Sequence, residues 1–206
     1  RGSFCSKFMK ITAIKQQIKR TDRYSVFVDN KYAFSLSEAA LLQQGIASGQ
    51  ELEPHQLEVL KKASNDDKAY GNALRYIASR PRSDWEMRSY LQRKQVEEPV
   101  TDTIIDRLKS VGLIDDLAFA RAWVANRHLL KSVSKRKLRQ ELQQKRLATT
   151  VIDAVLHEDE TDERDSLRAL VAKKAHRYSD KNKLMQYLAR QGFRYDDIQS
   201  VLGEYT

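Results

Sequence analysis

The sequence is poor in the residues that make turns and cross-links: its 206 residues hold seven Gly, three Pro and one Cys. So few turn formers exclude a turn-dense sandwich or barrel and favour long helices with short connections. A single cysteine, Cys5, excludes an internal disulfide framework and fits a reducing compartment such as the cytoplasm. No apolar run approaches the roughly 18–20 residues that span a bilayer, so no membrane partner is expected. The chain opens on Arg1-Gly2-Ser3, which reads as a cloning remnant ahead of Met9, and Lys7 and Lys10 bracket no apolar stretch of the kind a signal peptide needs.

Catalytic constellations are equally scarce. There is no glycine-rich phosphate loop, no His-Glu-x-x-His and no cysteine pair for zinc. His55, His128, His157 and His176 are scattered and read as surface or packing residues, and Cys5 sits in a tail unsuited to a nucleophile. Asp115-Asp116 has the form of a carboxylate pair, yet a helix N-cap followed by an acid in the first turn explains it more simply. The acidic run from Glu158 to Asp165 likewise reads as a solvated helix start rather than a divalent-ion site. The expectation is a protein that is not an enzyme and carries no metal and no cofactor.

What the chain has is charge, and more of one sign: 37 Lys and Arg against 28 Asp and Glu give a net +9. That surplus points to an anionic partner without naming it.

Residues 1–67 differ from the rest. Tyr24–Val28 and Tyr32–Leu36 are rich in β-branched and aromatic residues and are separated by Asp29-Asn30-Lys31, which predicts a hairpin with Asn30 at positive φ. Residues 10–19 fit a third strand, although Ile11, Ile14 and Ile18 also trace a helical stripe. Ser37 has the form of an N-cap for a helix that stops at Gly45, and Pro54 opens another short helix carrying Leu57 and Leu60. From Lys68 onward only helical periodicity is present: Tyr70, Ala73, Leu74 and Ile77 form one stripe, which Pro81 ends. Further helices follow: one capped by Ser83, one from about Val100 to Gly112, one capped by Asp115 that runs to about Ser132, and one capped by Ser134.

An internal repeat organises this helical region. Residues 83–94 align without gaps to 134–145 and to 180–191. Each copy has a capping residue, an apolar residue four later and Leu after another four, and an apolar anchor (Val96, Leu147 or Phe193) two residues past its end. A short helix then places Ile105 and Leu108, Ile152 and Val155, or Ile198 and Val201 at matching points. The expected architecture is mainly α: an N-terminal α+β element (1–67), then three stacked three-helix repeats (68–112, 113–157, 158–206) forming an elongated, curved solenoid in which neighbours complete each other's core. No further apolar stripe is left over, so a monomer is expected.

The charge is concentrated on this repeat. Residues 131–147 contain Lys131, Lys135, Arg136, Lys137, Arg139, Lys145 and Arg146 against Glu141 alone, and residues 173–194 contain Lys173, Lys174, Arg177, Lys181, Lys183, Arg190 and Arg194 against Asp180. Each segment carries +6. A helix of about 11 residues is about 16 Å long and can follow several phosphates. Trp85, Tyr90 and Tyr187 lie near these faces and read first as core residues, with base stacking as the alternative.

Four motifs carry a family resemblance. Gly112-Leu113-Ile114-Asp115-Asp116-Leu117-Ala118-Phe119-Ala120-Arg121 is similar to the signature of RecX regulatory proteins. Residues 73–83, ending Arg80-Pro81-Arg82-Ser83, resemble the family's opening motif, and Arg190-Gln191-Gly192-Phe193 its third-repeat motif. Residues 135–147 resemble the basic second repeat, although Lys145-Arg146 stand where the family's loop carries Gly, and Trp85 stands where it carries an acid. The resemblance covers 68–205 well and the N-terminal element more loosely. It implies a regulator that binds the RecA filament on single-stranded DNA, in its groove, and inhibits ATPase and strand exchange, as part of DNA repair, homologous recombination and the SOS response. Direct binding to nucleic acid alone would be weak. The residues expected at this contact are Arg82, Lys135, Arg136, Arg139, Lys145, Arg146, Lys181, Lys183, Arg190 and Arg194. Two alternatives stay open. One is a duplex DNA-binding protein of helix-turn-helix type reading bases through Arg139, Gln140 and Gln143. The other is a repeat scaffold for an acidic protein without DNA.

Overall fold

The computed structural model describes residues 8–130 and 132–205, so the readings of Arg1-Gly2-Ser3, Cys5, Lys7 and Lys131 lie outside the described residues. The chain forms two compact units, one running up to Arg80 together with Leu91–Ile104, the other containing Pro81–Tyr90 and everything from Ile105 onward.

The first unit holds four strands, β1 (Met9–Gln16), β2 (Arg23–Val28), β3 (Lys31–Ser37) and β4 (Glu51–Leu52), with α1 (Glu38–Gln43) between β3 and β4. The sheet is antiparallel in the order β3-β2-β1-β4. Asp29 and Asn30 both take positive φ (48° and 63°), so the two residues joining β2 to β3 make a type I′ turn, with Val28 opposite Lys31. The expectation placed only Asn30 there; the right-handed twist of the strands requires both. Residues 9–16 are a strand, not a helical stripe: Ile11 is fully buried in the sheet, whereas Ile18, beyond the strand end, is 96% exposed.

The two helices expected from Pro54 and from Lys68 are one, α2 (Pro54–Ala78), with Pro54 in its first turn and the Glu53 N–H bonded to Gln56 Oε1 at 2.8 Å. The apolar periodicity fades mid-helix because the helix meets the sheet there through polar groups. Ser64 Oγ donates to the Ser35 carbonyl at 2.6 Å, and Asp67 accepts from the Ser37 N–H at 2.9 Å and from Ser37 Oγ at 2.5 Å. Asp67 also pairs with Arg23 at 2.9 Å, and that guanidinium, whose side chain is 3% exposed, donates to the Ser35 carbonyl at 2.8 Å. A scan for buried leucines cannot see such a contact.

The remaining helices are α3 (Asp84–Arg93), α4 (Glu98–Ser110), α5 (Asp116–Leu130), α6 (Lys135–Gln144), α7 (Thr149–Glu158), α8 (Glu163–Lys174), α9 (Lys181–Arg190) and α10 (Tyr195–Glu204), with a 3-10 turn at Ala175–Arg177 after α8. The protein is thus mostly helical with a small N-terminal strand element. The three aligned copies are α3, α6 and α9, ten residues each. Their ends match as well. Gln95, Arg146 and Gly192 occupy one position in the repeat and all take positive φ. Val96 and Leu147, the apolar anchors, donate back to Leu91 and Leu142 as in a Schellman cap. The missing glycine of the second repeat therefore leaves the turn unchanged, since Arg146 adopts its conformation.

Within the second unit, corresponding contacts recur from repeat to repeat. Ser83 and Ser134, both fully buried, cap their helices by accepting from the Glu86 N–H (3.2 Å) and the Lys137 N–H (3.1 Å). The first N–H of each helix is then taken by an acid from the start of the following repeat: Asp116 accepts from the Asp84 N–H at 2.8 Å, and Glu163 from the Lys135 N–H at 2.7 Å. Bidentate ion pairs also correspond, Arg121 of α5 with Glu158 at the end of α7 (2.8 and 2.9 Å) and Arg168 of α8 with Glu204 at the end of α10 (2.9 and 3.1 Å). The repeats bury their own apolar clusters, Leu138, Leu142, Leu147 and Ile152 in one and Leu184, Leu188, Phe193 and Ile198 in the other. They touch at Gly192, where an added Cβ would lie 2.3 Å from Ser134 Oγ, which donates to the Gln191 carbonyl at 2.9 Å.

Three outcomes are expected. Asp67→Ala, which strands the buried Arg23 charge, should cost about 3–5 kcal/mol in urea unfolding, and replacing both partners with apolar residues should cost less. Gly192→Ala combines a left-handed φ of 92° with a backbone–side-chain collision, and should lower stability by at least about 1–3 kcal/mol. Hydrogen bonds from Arg121 and Arg168 hold Glu158 and Glu204 below their ordinary value of 4.5. A depressed carboxylate stabilises the fold above its ordinary value and loses that contribution as pH falls through the folded-state value. Urea midpoints should therefore drop as pH falls below about 4.5, and Arg121→Gln should make that drop shallower.

Candidate functional site

The ten cations expected at a contact separate into two groups once their surroundings are known. Lys135 is held at both ends: besides its N–H on Glu163, its ammonium donates to the Asp159 carbonyl at 2.5 Å. Lys145 pairs with the nearly buried Glu86 at 2.7 Å and sits over the Trp123 ring, 4.7 Å from its centroid. Arg127 lies at the same distance from that ring, and Glu141 accepts from both Trp123 Nε1 (3.0 Å) and Arg127 Nε (2.6 Å). Lys145 thus shares the Trp123 ring with Arg127 and is committed to the fold of the second repeat. Arg139, half exposed, pairs with Asp153 at 2.6 Å. Arg82 is half-buried just before the Ser83 cap.

The others face solvent. Arg136 and Arg146 are exposed at the start of α6 and just past its end, and Lys181 and Lys183 are exposed at the start of α9. Arg190 is exposed, its Nε 3.3 Å from a carbonyl of its own helix, and Arg194 is exposed, 3.9 Å from an equally exposed Asp196. Such loose surface pairs contribute little and leave the guanidinium available. α6 and α9 therefore present cations at corresponding ends, and these are the side chains the fold leaves uncommitted.

The acids are the reverse case. Asp115 caps α5, accepting from the Leu117 and Ala118 N–H groups at 2.9 Å each. Asp116 is not merely its companion but the acceptor for α3. Burial raises its carboxyl above the ordinary range, the Asp84 N–H opposes that rise, and the Asp84 charge adds to it. In the acidic run, Glu158 belongs to Arg121, Asp162 caps α8 through the Arg164 N–H at 2.7 Å, and Glu163 caps α6. Asp159 meets His128 at 3.0 Å; burial alone would raise its carboxyl, but hydrogen bonds with Thr161 and His128 bring it below its ordinary value. Among the described residues no group of three or more His, Cys, Asp or Glu is placed to hold a metal ion. No helix there is long and apolar enough to cross a membrane.

The roles of Asp116, Glu163 and the two Arg–Glu pairs are not legible in the sequence, although the repeat alignment extended outward places Glu158 with Glu204 and, with a shift of one residue, Arg121 with Arg168. Of the aromatics, Tyr187 is half-buried against Tyr178, with ring centroids 5.6 Å apart, and Tyr90 is half-buried, while Trp85 is exposed.

Comparison with known proteins accounts for this repeated arrangement. Residues 9–53 match the RecX N-terminal domain, and 69–108, 115–156 and 161–202 match the first, second and third RecX three-helix domains. The Regulatory protein RecX of Listeria monocytogenes serovar 1/2a is 30% identical over 205 residues, covering 96% of this chain and 76% of that one. That of Lactobacillus gasseri is 34% identical over 153 residues, 74% of this chain, and the match spans 56% of the relative's length. A crystal structure of a regulatory protein RecX superposes with a TM-score of 0.75 at 26% identity, covering 95% of this chain and 99% of that one. RecX from Lactobacillus salivarius gives 0.61 at 27% identity, covering 69% and 97%. With all four domain descriptions matched in order and relatives this similar named regulatory proteins, the chain belongs to the RecX family.

Proposed function

We propose that this protein regulates RecA by binding the RecA filament on single-stranded DNA, in its groove, and inhibiting ATPase and strand exchange in the cytoplasm, without catalysis of its own. The observation that carries this reading is the set of uncommitted cations at corresponding ends of α6 and α9: Arg136, Arg146, Lys181, Lys183, Arg190 and Arg194. Cations on two helices of the same repeat suit a polymer that carries a charge at each step of its backbone. Arg82 and Arg139 are included in the proposed contact. Lys135 and Lys145 act through the fold that supports it. Membership of the RecX family supplies the partner; the anionic backbone of the single strand and the acidic groups beside it supply the electrostatic complement.

The duplex-reading alternative would need base-edge donors and acceptors on α6. Arg139 is tied to Asp153, so Gln140 and Gln143 would have to carry base readout between them, which favours the filament reading.

Charge reversal tests it. The Arg136→Glu/Arg146→Glu and Arg190→Glu/Arg194→Glu pairs should each raise the concentration needed to inhibit RecA ATPase on single-stranded DNA by tenfold or more, with unchanged circular dichroism. The salt dependence of inhibition should flatten by about 0.7 in log–log slope for each single-strand phosphate that is no longer neutralised. Lys145→Glu should instead lower the unfolding midpoint. Inhibition untouched by both charge-reversed pairs, or sequence-selective duplex binding stronger than filament binding, would remove the proposal.

A further inference from the structure

Of the two tryptophans, one stands outside the core. Trp85, the second residue of α3, is 44% exposed. Its side chain makes no hydrogen bond, ring stack or cation–π contact among the described residues. Its backbone, by contrast, is held on both sides. Ser83 and Met87 are fully buried. The Asp84 N–H is bonded to Asp116, and the Asp84 carboxylate is gripped by Arg88 and Lys109, both at 2.6 Å. Glu86 is bonded to Lys145. The other tryptophan shows what this chain does with an indole it needs for packing: Trp123 is stacked on Phe119, covered by Arg127 and Lys145, and its Nε1 donates to Glu141. A large apolar ring left exposed on a firmly held backbone marks a contact surface more than a packing one.

Position and surroundings narrow the partner. In the repeat alignment Trp85 corresponds to Arg136 of α6 and Asn182 of α9, both exposed. The same point at the start of each middle helix therefore presents an indole, a guanidinium and an amide. Arg82 precedes Trp85, Arg88 follows within one turn, and Arg107 and Lys109 close the last turn of α4, which meets the start of α3 through the Lys109–Asp84 bridge. An exposed indole at a helix start in a basic stretch of the fold matches a polyanion that offers unstacked π-faces, which is a single strand of nucleic acid and not a duplex, whose bases are already stacked.

We propose that Trp85 is a stacking platform for an unpaired base, extending the α6 and α9 cation surface onto α3. This rests on the nucleic-acid contact proposed above and assigns to it a contribution that charge alone does not provide, one that is insensitive to salt. Arg136 and its neighbours follow the phosphates; Trp85 holds a base.

The chain has two tryptophans, so its own emission reports the contact. Titration of the full chain with oligo(dT) at low salt should quench tryptophan emission. Trp85→Phe should remove most of that quenching while keeping most of the affinity, because a phenyl ring still stacks. Trp85→Ala, folded by circular dichroism, should weaken oligonucleotide binding about 5- to 150-fold and leave its salt slope unchanged, since the cations still neutralise the same phosphates. Unchanged affinity in Trp85→Ala would overturn the stacking role. So would quenching seen only with the RecA filament and never with oligo(dT), which would place the indole against protein. In either case loss of inhibition in the charge-reversed pairs would leave the filament reading standing, so failure of the platform and failure of that reading are told apart.

Discussion

The helical part of the molecule depends on one recurring contact: the first N–H of a middle helix bonded to a carboxylate at the start of the next repeat. A helix start carries four N–H groups with no partner inside the helix and a partial positive charge. Ser83 and Ser134 satisfy one of these from within the repeat, and Asp116 and Glu163 satisfy another from outside it. A hydrogen bond to a charged group contributes about 1.5–3 kcal/mol, and leaving a buried donor unmet costs a similar amount. The contact is therefore strong enough to set the register between neighbours, and it is made only when the next repeat is folded and in place. The raised Asp116 carboxyl is the cost of that placement, as a charge has been drawn partly out of water to reach an N–H.

This arrangement sorts the charges. The acids of the second unit are drawn into caps and ion pairs within and between repeats, including most of the run that begins at Glu158. Some cations follow them inward, notably Lys135 and Lys145. Among those that remain outside are the exposed cations at the ends of α6 and α9, Arg136, Arg146, Lys181, Lys183, Arg190 and Arg194.

The N-terminal unit solves its packing in a different way. Where α2 crosses the sheet, a leucine stripe gives way to Arg23, Asp67, Ser37, Ser35 and Ser64, linked without a gap. A buried ion pair of this kind adds less to stability than its short distance suggests, because desolvation offsets most of the attraction, but removing one partner is costly. It also specifies one alignment of helix on sheet, which an apolar stripe of small residues would not.

The parts of the structure legible in the amino-acid order are those governed by short periods. Helix stripes, serine and aspartate caps, the Asp29-Asn30 turn and the threefold recurrence of residues 83–94 depend on neighbours a few positions away, and the chain alone determined them together with the family they indicate. What only the tertiary structure decided concerns pairs far apart along the chain. Asp84 meets Asp116 across 32 residues, Lys135 meets Glu163 across 28, and Lys145 meets Glu86 across 59. Pairings of this long-range kind made α2 a single helix on a polar seam, turned Asp116 from a capping companion into a clasp, and divided ten similar basic residues into those that hold the fold and those that face outward. Charge has no period, and which opposite charge a lysine meets is settled only when stacking brings distant segments within hydrogen-bonding reach.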